Sequence, residues 1–194
     1  MESKKSDWLT KANIVTLSRL VLSPLPGAII FVAWNNVAAR WLALAVFTII
    51  CLTDLLDGHL ARRFDEVTDI GKIMDPLVDK FLILTTLAVI CWLQPNERMI
   101  FGLTIVVAVR ELVVSFLRYF AKLRGVVIAA NLSGKIKMVA QSIVVGLIVA
   151  PIPDDGTWGR LVNLAMIIAV WLTIVSGVIY FVKYSSLSEK VKGN

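Results

Sequence analysis

Along the chain, long apolar runs alternate with short polar breaks. A run of about 20 apolar residues crosses the hydrocarbon layer as a helix. By that ruler there are six candidate spans, at roughly 14–34, 41–61, 73–93, 99–121, 136–153 and 159–182. The pattern predicts an all-α fold, an integral membrane bundle of six transmembrane helices forming a single domain over residues 1–194. The first run follows a short basic start, Lys4, Lys5 and Lys11, but it is too long for a signal-peptide core. It also ends in the polar "WNN", a poor cleavage site, so it counts as a span. Ahead of it, "MESKKSDWLTKAN" predicts a short interfacial helix, with Trp8 and Leu9 toward lipid and the lysines toward headgroups. No internal repeat, low-complexity tract or domain-separating linker interrupts the pattern.

Composition agrees with a lipid solvent. Hydrophobic residues make up 58% of the 194, charged residues only 18%, and the mean hydropathy is +0.80, far from soluble averages. The basic residues are distributed unevenly between the two sides. One side of the six-span topology holds Lys4, Lys5, Lys11, Arg62, Arg63, Lys72, Lys122, Arg124, Lys135, Lys137, Lys183, Lys190 and Lys192, and the other only Arg40, Arg98 and Arg160. Thirteen against three places both termini in the cytoplasm. The net charge of +6 is then largely topological, and no folded basic domain remains for a nucleic-acid partner. Cys51 and Cys91 fall inside apolar runs, where a thiol behaves as a small hydrophobe, and neither a disulfide framework nor a zinc pattern follows.

Against this background the stretch "TDLLDGHLARRFDEVTDIGKIMDPLVDK", 53–80, stands out. Asp54 and Asp57 are three apart and Asp75 and Asp79 four apart, so each pair projects from one helix face. Both pairs lie near the cytoplasmic ends of adjacent predicted helices, and Gly58, Ala61 and Gly71 keep those faces small. Four carboxylates this close raise one another's pKa unless a cation compensates them. An oxygen-only donor set points to Mg2+, Mn2+ or Ca2+, and four carboxylates suit two ions, a geometry fitted to displacement at phosphorus. Arg62 adds a fixed cation for a phosphate or carboxylate. Structural roles compete with this. Asp75 before Pro76 reads as a helix N-cap followed by proline at the first position, and Asp65, Glu66 and Asp69 as solvated loop charge. The joint pattern weighs against them, because acids at membrane depth are rare and mark function.

The stretch resembles the signature of the CDP-alcohol phosphotransferases, D-x2-D-G-x2-A-R-x8-G-x3-D-x3-D. Asp54, Asp57, Gly58, Ala61, Arg62, Gly71, Asp75 and Asp79 fill all eight fixed positions over 26 residues. The resemblance implies a six-helix membrane enzyme, a homodimer, that moves a phosphatidyl or similar group from a CDP-linked donor to an alcohol and releases CMP. It also implies that Asp54, Asp57, Asp75 and Asp79 hold two divalent ions, Mg2+ or Mn2+, and that Asp79 takes the proton of the acceptor hydroxyl. Asp79 lies deepest into its helix, furthest from the mouth where Arg62 and the nucleotide would sit. Asn13, Thr16 and Arg19, on one face of the first helix, are candidates for the nucleotide side, with an N-cap and helix-edge charge as the alternative.

The fourth span contains "VRELVVSFLR", which puts Arg110 and Glu111 inside apolar sequence. A central arginine costs roughly 2.5–3.5 kcal/mol on insertion scales and so should face the protein interior. Arg118 follows Glu111 by seven residues, and in "SGKIKMVAQ" Gly134, Lys137 and Gln141 share a face with Lys135 at the mouth. Arg110, Arg118, Lys135 and Lys137 are therefore candidates for gripping a phosphate-bearing acceptor. For Lys122 and Arg124 the positive-inside rule suffices.

"RELVVSFLR", "SGKIKMVAQ", the opening "NIVTLSRLVLSP" and the closing "IVSGVIYFVKY" resemble the bacterial branch of the family that makes phosphatidylglycerol phosphate. That resemblance implies CDP-diacylglycerol as donor, glycerol 3-phosphate as acceptor and a bacterial inner-membrane location with a cytoplasmic site. The alternatives are a sister enzyme using inositol phosphate or phosphatidylglycerol, and a divalent-cation carrier. A carrier would spread its acids toward the midplane between helix repeats rather than cluster them at one edge.

Overall fold

The computed structural model describes residues 18, 20–64, 69–123, 132–153 and 156–192, with side chains at 18, 20–53, 80–121, 133–153 and 156–186. Among them regular structure is helical throughout, with no strand. The helices are α1 (Leu25–Ala33), α2 (Val37–Phe64), α3 (Asp69–Leu93), α4 (Arg98–Leu123), α5 (Leu132–Val149) and α6 (Thr157–Lys192).

Local chemistry sets their ends. Residues 20–22 are helical, but the chain turns at Ser23–Pro24 before α1 begins. Pro24 and Pro26 lack the N–H that a continuous helix needs, and their rings crowd the preceding turn. The first predicted span, 14–34, is therefore not one unbroken helix over its described part. The polar "WNN" is a junction: Asn36 Oδ1 accepts from the backbone N–H of Ala38 at 2.9 Å and of Ala39 at 3.2 Å, capping α2. α5 stops at Val149, short of the predicted 153, because Pro151 and Pro153 push the residues before them out of helical conformation. α6 follows Gly156, whose φ of +83° suits a residue without a side chain, and Arg160 Nε donates back to the Gly156 carbonyl at 2.8 Å.

Among the described residues, Arg98–Ala121 and Thr157–Ser186 are long and apolar enough to cross a membrane; Leu20–Ala33, Val37–Thr53 and Lys80–Leu93 are shorter apolar stretches. Trp41, Leu52, Phe101, Phe116, Leu164, Trp171 and Phe181 are all more than half exposed or at that limit. Surface of that kind would aggregate in water and is at home in lipid. The protein is a helical membrane protein.

Packing divides the chain into two compact units, 1–93 with 149–151, and 94–148 with 152–194. In the first, α1 lies against α2 and α3 around Ile30, Ala43, Phe47, Ile50, Leu87 and Ile90. Gly27 permits the approach of α1 to α3: a Cβ there would lie 3.3 Å from Val89 Cγ2 and 3.7 Å from the Thr85 carbonyl oxygen. Arg40 rests 4.4 Å over the Trp34 ring and donates from Nε to the Val149 carbonyl (3.0 Å) and from its terminal nitrogen to that of Ala150 (2.9 Å). It thereby satisfies carbonyls that the end of α5 leaves open. In the second unit α4 packs along α6, with Leu103, Val107, Val114, Val144, Val145, Met166 and Ala169 buried.

Candidate active site

The acidic motif lies on two consecutive helices of the first unit. Asp54, Asp57, Gly58, Ala61 and Arg62 belong to the second half of α2, and Gly71, Asp75 and Asp79 to the first half of α3. Residues 65–68 link the two, a stretch that reaches at most roughly 18 Å. Both aspartate pairs thus belong to the linked ends of their helices. The side chains of 54–79 lie outside the described residues, as do Asn13, Thr16 and Arg19. The backbone alone changes the reading of Asp75. Because α3 begins at Asp69, Pro76 lies about two turns inside the helix, and Asp75 does not stand at its N-cap. A proline there withholds the N–H that the carbonyl of Lys72, four residues back, would accept.

The second unit contains a buried polar seam across three helices. Glu111 on α4 is 4% exposed, and a single oxygen, Oε1, accepts from Arg110 at 2.8 Å and pairs with Lys137 Nζ of α5. Arg110 crosses Gly177 of α6, where an added Cβ would meet its Cγ at 3.4 Å, and its Nε is buried with no hydrogen-bond partner. One turn along α5, Gln141 Nε2 donates to Thr173 Oγ1 at 2.8 Å, and the Thr173 hydroxyl donates to the Ala169 carbonyl at 2.6 Å. Toward the end of α4, Arg118 Nε donates to the Tyr180 hydroxyl at 3.1 Å, and its guanidinium carbon lies 5.3 Å from the centroid of the Tyr180 ring. Ser176 closes on the Thr173 carbonyl at 2.9 Å and Ser115 on the Glu111 carbonyl at 2.6 Å. Two cations thus share one carboxylate in a nearly dry environment, and a third stands further along the same helix. Buried charge of this kind is held by its ion pairs and hydrogen bonds.

Residues 9–178 match the family model of CDP-alcohol phosphatidyltransferase. The chain belongs to that family. Among curated relatives, a protein of Mycobacterium tuberculosis (strain CDC 1551 / Oshkosh) named "Probable phosphatidylglycerophosphate synthase" is 36% identical over 170 residues, 87% of this chain and 78% of its own. The "CDP-diacylglycerol--glycerol-3-phosphate 3-phosphatidyltransferase" of Bacillus subtilis (strain 168) is 34% identical over 182 residues, 88% of this chain and 93% of its own. The protein of the same name from Rickettsia felis is 29% identical over 171 residues, covering 87% and 92%.

For this CDP-alcohol phosphatidyltransferase family member, the cationic candidates now separate. Arg110 and Lys137 come together on Glu111, Arg118 stands with Tyr180, and Lys135 is exposed on the opposite side of α5 from the buried Lys137 and Gln141. Three partners on α6, Thr173, Ser176 and Tyr180, did not emerge from the sequence reading. Their signal was present: in a nearly uniform apolar run they fall three and four residues apart, the spacing of one helix face.

Proposed function

We propose that the protein transfers the phosphatidyl group of CDP-diacylglycerol to glycerol 3-phosphate, giving phosphatidylglycerol phosphate and CMP. What carries this reading is the complete eight-position motif on α2 and α3 in a chain whose family match runs over 9–178. The names of the relatives from M. tuberculosis and B. subtilis supply the product, the donor and the acceptor. The chain acts as one catalytic domain over 1–194, a bundle of six spans with both termini and the motif at the cytoplasmic face. It works as a homodimer in a bacterial inner membrane.

In the reaction, the acceptor hydroxyl oxygen bonds to the phosphatidyl phosphorus while the bond from that phosphorus to the cytidylate oxygen breaks. CMP departs with the electron pair. Asp79 takes the hydroxyl proton, a role that needs only a carboxylate within hydrogen-bond reach. Asp54, Asp57, Asp75 and Asp79 are an all-oxygen donor set suited to hard divalent cations, two of Mg2+ or Mn2+, which when bound neutralise the diphosphate charge. Arg62 stands by the leaving nucleotide, with Gly58, Ala61 and Gly71 admitting it close to the backbone and Asn13, Thr16 and Arg19 lining the nucleotide side. Arg110, Arg118 and Lys137 receive the acceptor's phosphate, with Lys135, on the other side of α5, at the mouth. The gathering of Arg110 and Lys137 on one buried carboxylate, with Arg118 further along α4, supports that role.

The deciding experiment supplies the purified protein with CDP-diacylglycerol, a divalent salt and one acceptor at a time, and measures CMP release. Glycerol 3-phosphate should support turnover that chelation abolishes. Release with inositol phosphate or phosphatidylglycerol but none with glycerol 3-phosphate would refute the acceptor assignment.

A further inference from the structure

We infer that Tyr180 is a positioning residue for acceptor recognition: its hydroxyl and ring hold the Arg118 guanidinium so that the two terminal nitrogens are presented to the acceptor's phosphate. The inference rests on the reading of Arg118 given above and adds a residue to it.

Tyr180 is 3% exposed, on the face of α6 that also carries Ala169, Thr173 and Ser176, all buried against neighbouring helices. Its ring cannot wander, and its hydroxyl is a fixed acceptor. Arg118, by contrast, is an exposed side chain three residues from the apolar limit of α4 at Ala121, with four rotatable bonds to order. Binding an anion with a free arginine pays for freezing those bonds at the moment of binding. Here the Nε–H is already committed to Tyr180 at 3.1 Å and the guanidinium carbon lies 5.3 Å from the ring centroid. With Nε occupied, the side-on fork of Nε and one terminal nitrogen is blocked, and the end-on fork of both terminal nitrogens remains. Among the described residues neither terminal nitrogen has a hydrogen bond. Tyr180 therefore sets both the position and the approach direction of the cation, which favours a tetrahedral phosphate arriving at the end of the fork.

The test is a double-mutant cycle on the full-length protein in lipid micelles with CDP-diacylglycerol and a divalent salt. It compares wild type, Tyr180→Phe, Arg118→Met and the double variant. Tyr180→Phe keeps the ring and removes the acceptor oxygen. It should raise KM for glycerol 3-phosphate roughly three- to tenfold, the scale of a hydrogen bond to a charged group discounted for an exposed arginine. Inhibition by inorganic phosphate should weaken by the same factor, while KM for CDP-diacylglycerol and kcat move by less than about twofold. In the Arg118→Met background the same change should have no further effect on KM for the acceptor, since the group it positions is gone. Full additivity in that background, or an equal rise in both KM values, overturns the positioning role. So does a fall in melting temperature with both KM values intact, which marks a purely structural tie. A wild-type protein that releases no CMP with glycerol 3-phosphate takes down the parent reading and this inference together.

Discussion

Replacing Glu111 by Gln tests whether the polar seam holds the second unit together through charge. The substitution keeps the shape of the side chain and one carbonyl oxygen, but removes the anion that Arg110 and Lys137 share. The three side chains are 5%, 10% and 8% exposed for Glu111, Arg110 and Lys137, so water cannot take over the lost compensation. Removing one partner of a buried ion pair costs about 3–5 kcal/mol, because it strands charge in a low dielectric. For a chain of this length, about 1 kcal/mol corresponds to roughly 2–4 °C in melting temperature. The expected fall is therefore roughly 6–20 °C, followed by thermal unfolding in detergent. A second substitution, Lys137→Met, should recover part of it by removing one stranded cation. Glycerol 3-phosphate should also raise the melting temperature of Glu111→Gln, since an anion bound to the folded state stabilises it by mass action. A melting temperature within about 2 °C of wild type would refute the reasoning, because a pair that dry cannot lose its anion at no cost.

Asp79→Asn should keep the fold and lower kcat by about 10²–10⁴, the contribution of a positioned base, and CMP release with an unshifted melting curve would check it. Asp57→Asn should raise the divalent-ion concentration needed for half-maximal turnover, read from a Mg2+ or Mn2+ titration; an unchanged titration would remove Asp57 from the donor set. Gly27→Leu should destabilise by about 1–3 kcal/mol, since even a Cβ there already comes within 3.3 Å of Val89, whereas Gly27→Ala should be far milder. Melting temperatures of the two variants, measured side by side, separate overpacking from a loss of backbone freedom.

Much of this architecture could be read in advance because lipid imposes a simple grammar: apolar runs become helices, and charge inside them needs a reason. The windows around 99–121 and 159–182 are helices, and Arg110, which the positive-inside rule could not account for, is buried against Glu111. The motif was readable because spacing alone puts carboxylates three and four apart on one face. What spacing does not contain is the identity of the facing helix. Tyr180 meets Arg118 across 62 residues of sequence and Thr173 meets Gln141 across 32, and no local pattern encodes such pairings. Proline has opposite outcomes at two places. Pro24 marks a turn inside a run that looked continuous, and Pro76 lies within a helix where Asp75 had offered an N-cap as the competing reading.

The length of α6 has a consequence of its own. A helix of 36 residues reaches about 54 Å, against a hydrocarbon layer of about 30 Å. Some 24 Å of it, about 16 residues, must either lean steeply in the oil or stand clear of it like a mast. A reporter dye fused after Lys192 would be carried well above the headgroups by an upright α6 and kept near them by a leaning one, and its distance from a lipid-bound quencher would tell the two apart.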